Sequence, residues 1–319
     1  MVEGAAEQAP RNMIHRLSFR AMGTNMLACL DVDSEQAPGV LAQVPAWFEE
    51  WEQAFSRFRL DSELSRLNRS NGRPMPVSET FWQVFQAALD AEAWTDGLVT
   101  PTIADALREV GYDRDFDLLA GARLPSHFPT LTAARPLSTV EWDEARRTIH
   151  LPEGIRLDFG GVAKGWAAHQ AMLRLSEYGP ALMNAGGDVA SSGPLRNGGS
   201  WEITITNPFT RKEEDSLGTI LLRGEAVATS GTDHRRWQQG DFLRHHIIDP
   251  HTGLPAQTDV LSATVVAPTV LEAEAAAKSA LIRGGLAGMA WLDADPSLAG
   301  FIVLEDGQGL YNERLKKYL

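Results

Sequence analysis

The sequence holds one cysteine, Cys29, among its 319 residues. A single thiol excludes an internal disulfide and a cysteine-based zinc cluster, and it fits a reducing compartment. Long apolar runs are missing too. None approaches the roughly 18 consecutive apolar residues of a membrane-spanning helix, so no membrane insertion is expected. Positive charge is scarce: 29 Lys and Arg face 42 Asp and Glu, a net charge of −13. The basic excess of a nucleic-acid surface is lacking, so no nucleic-acid partner is expected. A polyanionic ligand would instead need a locally basic pocket. The opening residues lack the basic and apolar regions of a secretory signal, which with the lone thiol gives a cytoplasmic expectation. Walker A, Gly-x-Ser-x-Gly and His-Glu-x-x-His patterns are absent as well.

What is present is a globular composition, 44% hydrophobic and 22% charged. Length alone allows about two domains. No repeat or low-complexity linker divides the chain, so one compact domain over residues 15–319 is expected, after a disordered polar tail at 1–14. Apolar periodicity predicts helices over residues 44–56, 78–95, 162–177 and 271–282, and a short one capped by Ser62. Strand-like segments arrive singly, in pairs and around helices, without βαβ alternation. That pattern predicts an α+β fold, an antiparallel sheet with packed helices. One expected hairpin pairs residues 147–151 with 155–159 across Pro152-Glu153-Gly154.

Residues 155–191 organise the rest: strand, glycine turn, helix, strand, glycine turn. Asp158-Phe-Gly-Gly-Val-Ala-Lys164 and Asn184-Ala-Gly-Gly-Asp188 each set backbone N–H groups beside a carboxylate. They suit an anionic, phosphate-bearing ligand at a helix start, or two ordinary turns capped by aspartates. The segment Ala228-Thr-Ser-Gly231, followed by Asp233-His-Arg-Arg-Trp237, offers hydroxyls and arginines for phosphate oxygens, or a solvated basic tip. His245-His246-Ile-Ile-Asp249-Pro250 puts a histidine before a rigid turn, where it serves as a general base or as a structural histidine. Adjacent strand residues face opposite ways, so the pair is not by itself a metal site. Glu274 and Lys278, four apart on one helix, form either a surface ion pair or an inward-facing charge pair, and flanking alanines favour the inward face.

Together these motifs resemble the FAD:protein FMN transferases, the ApbE-type flavin transferases, in order over about residues 17–305. Met22-Gly23-Thr24 opens the series, then residues 56–68 around Ser62-Glu63-Leu64, then 97–102; the two glycine turns, Ala228–Gly231, His246–Pro255 and residues 273–284 complete it. The resemblance implies a T-fold-like α+β domain. It also implies transfer of FMN from FAD onto a Thr or Ser hydroxyl of a partner flavoprotein, with AMP released. By the same resemblance Met22, Phe58, Leu98, Val99, Thr100, Asp158, Lys164 and Ile248 line the FAD site. His246 takes the base or hydroxyl-orienting role, with Lys278 beside it as a catalytic charge. Family members use Mg²⁺, for which Glu274, Asp188 and the Gly161 backbone are the residues at hand. Three positions depart from the pattern: Phe58 replaces Tyr, His169 replaces Asp, and Glu274-x-x-x-Lys278 replaces Asp-x-x-x-Thr. Protonated lysine cannot ligate a hard cation. Either Lys278 replaces the ion, or a residual Mg²⁺ site persists, or the protein only binds or hydrolyses FAD.

Overall fold

The computed structural model describes residues 13–33, 35–119, 121–127, 129 and 133–319. Most of the expected tail lies outside the described residues, and Ile14 already opens the first strand. Among the described residues, eight strands form one sheet whose spatial order follows the chain. They are β1 (Ile14–Ala21), β2 (Thr24–Asp31), β3 (Ala181–Ala185), β4 (Asp188–Ser191), β5 (Ala226–Gly231), β6 (Val260–Ala267), β7 (Ala299–Leu304) and β8 (Gly309–Tyr311). Every neighbouring pair is antiparallel. The fold is α+β, as the mixed strand pattern predicts.

Alternation along the strands sends Met26, Ala28, Leu30, Met183 and Ala190 to one face, and Cys29, Leu182, Val189 and Val227 to the other. Both faces are buried. The second is covered by a two-stranded ribbon, Trp201–Ile205 with Gly218–Leu222, and by Leu315. The first carries the helices: α1 (Val44–Phe55), α2 (Glu63–Asn68), α3 (Glu79–Trp94), α4 (Ala163–Ser176), α5 (Val270–Arg283) and α6 (Gly285–Ala294). Ala273, Ala276, Ala277 and Ala280 of α5 share one cluster with Ala228, Ala263 and Ala267 of the sheet. Methyl groups on both sides let this helix approach the strands closely. Trp51 of α1 meets Trp166 of α4 at 5.4 Å between ring centroids, and Phe81 of α3 meets Phe159 at 5.2 Å. These edge contacts fix α1 and α3 to α4 and to the segment that leads into it. Ser62 and Ser78 cap α2 and α3 by accepting the N–H groups of Ser65 and Phe81.

The expected 147–151/155–159 hairpin does not form. Thr148–His150 pairs with Glu141–Asp143 and with Met75–Pro76. Residues 155–159 keep the alternating burial of a strand but lie outside any ladder. Leu157 N–H donates to Asn68 Oδ1 and Asn68 Nδ2 donates to the Leu157 carbonyl, both at 2.8 Å; Asp158 N–H donates to the Pro101 carbonyl. A side-chain amide offers the same donor and acceptor as a peptide, so it satisfies this backbone without a partner strand. Around the histidine pair the backbone breaks between two strands, Phe242–His245 and Ile248–Asp249, with His246 at the bend.

Candidate active site

One cavity opens at the helical end of the sheet, about 1170 Å³ including its mouth. Met22, Phe58, Leu98, Val99, Thr100, Asp158, Gly161, Lys164, His246, Ile248 and Lys278 all line it. Glu274 and Asp188 are not part of the lining; they are buried and joined to the lining lysines by ion pairs.

Each wall has a local cause. Met22 and Gly23 form the two-residue turn between β1 and β2, both left-handed at φ 47° and 68°. A non-glycine residue is strained there, and Glu52 steadies it by accepting the Met22 N–H at 3.0 Å. The Leu98–Thr100 loop hangs on buried Thr95, whose Oγ1 donates to the Ala91 carbonyl and accepts the Val99 N–H at 3.0 Å. Asp158 Oδ1 accepts the Gly160 N–H at 2.8 Å, while Oδ2 lies 2.6 Å from Arg57 Nε. A Cβ on Gly160 would stand 2.8 Å from that same Oδ1, so the position needs glycine for space. The Arg57 guanidinium lies over the Phe58 ring at 4.2 Å and the Tyr112 ring at 4.7 Å.

The floor is a cluster of four charges. Lys164 Nζ pairs with Asp188 Oδ2 and lies 3.2 Å from Glu274 Oε1. Lys278 Nζ donates to the same Glu274 oxygen at 2.8 Å. Glu274 Oε2 accepts the Gly165 N–H at 2.9 Å, at the start of α4, where the helix dipole favours a carboxylate. Burial pushes the Glu274 carboxyl up, but attraction from Lys164 and Lys278 outweighs it and holds the group below its ordinary range. Burial also opposes charge on Lys164, and attraction from Asp188 and Glu274 overcomes that, leaving the ammonium firmly protonated. Asp188, with burial and the negative Glu274 against it, is raised despite Lys164.

Beside these cations sits His246, with Nδ1 buried and lacking a hydrogen-bond partner. Burial first, then the charges of Arg235, His245, Lys278 and Lys164, hold its imidazole well below the ordinary 6.5. It is therefore neutral near pH 7, and an anionic ligand beside it would offset the cations that disfavour its protonated form. The pocket can thus neutralise an anionic group and accept a proton beside it.

Sequence reasoning passed over Arg57 and Tyr112 and left Arg235 undecided; all three line the cavity. Arg57 adjoins Phe58 in the chain, but its partner Asp158 is remote, so no spacing reveals the pair. The second glycine turn plays a different part from the first. Gly186 and Gly187 close the β3–β4 hairpin, and the Gly187 N–H donates to Asn184 Oδ1 at 2.8 Å. Its contribution is Asp188, which anchors Lys164.

The residues present do not fit a divalent cation. Among the described residues no group of three or more His, Cys, Asp or Glu side chains could hold a metal ion. Both Glu274 oxygens and Asp188 Oδ2 already accept N–H donors. Two ammonium groups stand where an ion at Glu274 would have to enter, and the repulsion opposes it.

The chain has relatives among known proteins. The chain is 28% identical over 308 residues to the FAD:protein FMN transferase of Salmonella typhimurium, spanning 92% of this chain and 85% of that protein. It is 29% identical over 318 residues to the FAD:protein FMN transferase of Vibrio cholerae, spanning 94% and 90%. Its fold matches the crystal structure of the ApbE protein from Thermotoga maritima with a TM-score of 0.85 at 24% identity, over 96% of this chain and 99% of that one. The flavin transferase ApbE from Vibrio cholerae superposes with a TM-score of 0.78 at 24% identity, over 97% and 100%. The model of the ApbE family matches residues 22–302, from the β1–β2 turn to β7, and the chain belongs to that family.

Proposed function

We propose that this protein is an FAD:protein FMN transferase, moving FMN from FAD onto a threonine or serine hydroxyl of a partner flavoprotein and releasing AMP. The observation that carries this reading is the meeting of a neutral His246 with Lys164, Lys278 and Arg235 in one cavity. Phosphoryl transfer asks for charge neutralised on the diphosphate, a positioned hydroxyl and a base for its proton. Lys164, Lys278 and Arg235 supply the charge. The acceptor oxygen bonds to the FMN-side phosphorus as the bond from that phosphorus to the bridging oxygen breaks. His246 takes the hydroxyl proton, and AMP leaves with the electron pair. Met22, Phe58, the Leu98–Thr100 loop and Ile248 form the apolar walls for the flavin and adenine rings, and Asp158, fixed by Arg57, shapes the rim between them. The names borne by relatives across most of the chain support the same reaction. No helix among the described residues is long and apolar enough to cross a membrane. The lone buried Cys29 supports action in a reducing compartment, the cytoplasm.

The test is incubation with FAD and a flavoprotein domain presenting a threonine acceptor. Transfer adds the mass of one FMN residue to the acceptor and releases one AMP. FMN and AMP with an unmodified acceptor would make the protein a hydrolase, and intact FAD would leave it a binding protein. His246→Ala is expected to reduce transfer by about a hundredfold or more while FAD binding stays within a few-fold.

A further inference from the structure

The four cavity-lining cations are not equally engaged. Arg57 is taken up by Asp158, and Lys164 by Asp188. Lys278 uses one of its three N–H donors, on Glu274. Arg235 has no ion-pair or hydrogen-bond partner among the described residues. The open donors therefore belong to Lys278 and Arg235. Lys278 is also held in place: its side chain is 15% exposed, its partner Glu274 is 1% exposed, and α5 packs tightly on the sheet. The Gly161 turn borders its stem: a Cβ there would meet Lys278 Cε at an ordinary contact distance of 3.9 Å. An ammonium on an anchored stem is a fixed point charge with free donors. Both Glu274 oxygens are already engaged, Oε1 by Lys278 and Lys164 and Oε2 by the Gly165 N–H.

We infer that the Lys278 ammonium is itself the cation that neutralises the ligand's diphosphate, so that FAD is held and FMN transferred without a divalent metal ion. The inference rests on the flavin-transferase reading above. Lys164 and Asp188 complete a floor that is nearly neutral before the ligand arrives, and Arg235 closes on the same anionic group from the loop after β5.

The experiment measures FAD binding to the full chain by titration calorimetry in EDTA and in Mg²⁺, followed by transfer under both conditions. Binding and transfer are expected to agree within about twofold, a difference below 1 kcal/mol. Mn²⁺, followed by its paramagnetic resonance, should bind neither the free protein nor its FAD complex. Lys278→Thr removes the charge and adds a hard oxygen donor beside Glu274. It should bind FAD about tenfold more weakly in EDTA and recover in Mg²⁺. Lys278→Arg keeps the charge, guards against a folding defect in the threonine variant, and should remain indifferent to EDTA. Wild-type binding that weakens about tenfold in EDTA and returns with Mg²⁺, or stoichiometric Mn²⁺ binding, overturns this inference alone. No FAD binding in either condition overturns the transferase reading, and this inference with it.

Discussion

His245 and His246 are adjacent, and their environments give them different uses. His246 faces the cavity among cations, whereas His245 turns away, with Nε2 3.2 Å from the Ala256 carbonyl and Nδ1 buried without a partner. Burial, only partly offset by the Ala256 hydrogen bond and reinforced by Arg236 across the strand pair, lowers His245 from 6.5 to about 4. The unfolded chain therefore takes up a proton below pH 6.5 that the folded chain refuses until about pH 4. Stability from this residue is full above 6.5 and falls as the pH drops through that window. At about 1.4 kcal/mol per pH unit the loss is up to about 3 kcal/mol. His245→Gln keeps an N–H for Ala256 and cannot titrate. Urea unfolding from pH 7 to 4 should show a shallower decline for that variant, and equal slopes would contradict the assignment. The sequence showed a histidine pair at a strand end; which one faces the ligand depended on the bend at 246.

The junction of α4 with α5 shows what an element contact can demand of one residue. A Cβ on Gly165 would stand 2.5 Å from Glu274 Oε2 and 3.3 Å from the Val270 carbonyl. Alanine is the better helix former by about 1 kcal/mol, so propensity alone predicts that Gly165→Ala stabilises. The contact predicts the reverse. Glu274 is locked by two lysines and cannot withdraw cheaply, so a net loss of about 1–3 kcal/mol is expected in chemical denaturation. A stabilised variant would mean that the helices can part. The inward face of Glu274 was legible from its alanine neighbours, because only small residues let a helix pack closely. Its meeting with Gly165 was not, because the two helices lie far apart in the chain. The 155–159 segment teaches the same lesson. Its alternation was genuine, but Asn68 supplied the hydrogen bonds that a strand partner would have made.

At the scale of the molecule, one sheet runs through the described residues in sequential order, and the helices that follow β2 pack on α4, which leads back into β3. Trp51, Trp82 and Trp166 of this β2–β3 segment share one core cluster with the sheet residues Met26, Ala28 and Met183, while Trp201 lies in the core on the opposite face. With the segment sharing its core with the sheet, we expect residues 15–319 to unfold as one unit. Tryptophan fluorescence and far-ultraviolet circular dichroism should then give coincident urea transitions. Two separated transitions would show an independently folding insertion.

By itself the sequence determined the α+β class, the helix starts at Ser62 and Ser78, and, through its ordered motifs, many of the residues that gather around the cavity. Those features rest on periodicity, capping chemistry and ordered motifs, all written within short stretches. Only the tertiary structure decided where the charges go. Lys164, Asp188, Glu274 and Lys278 come from three separated segments, and whether a lysine or an ion stands between two carboxylates is a matter of a few ångströms. Coulomb attraction and desolvation act on those distances, and chain spacing does not encode them.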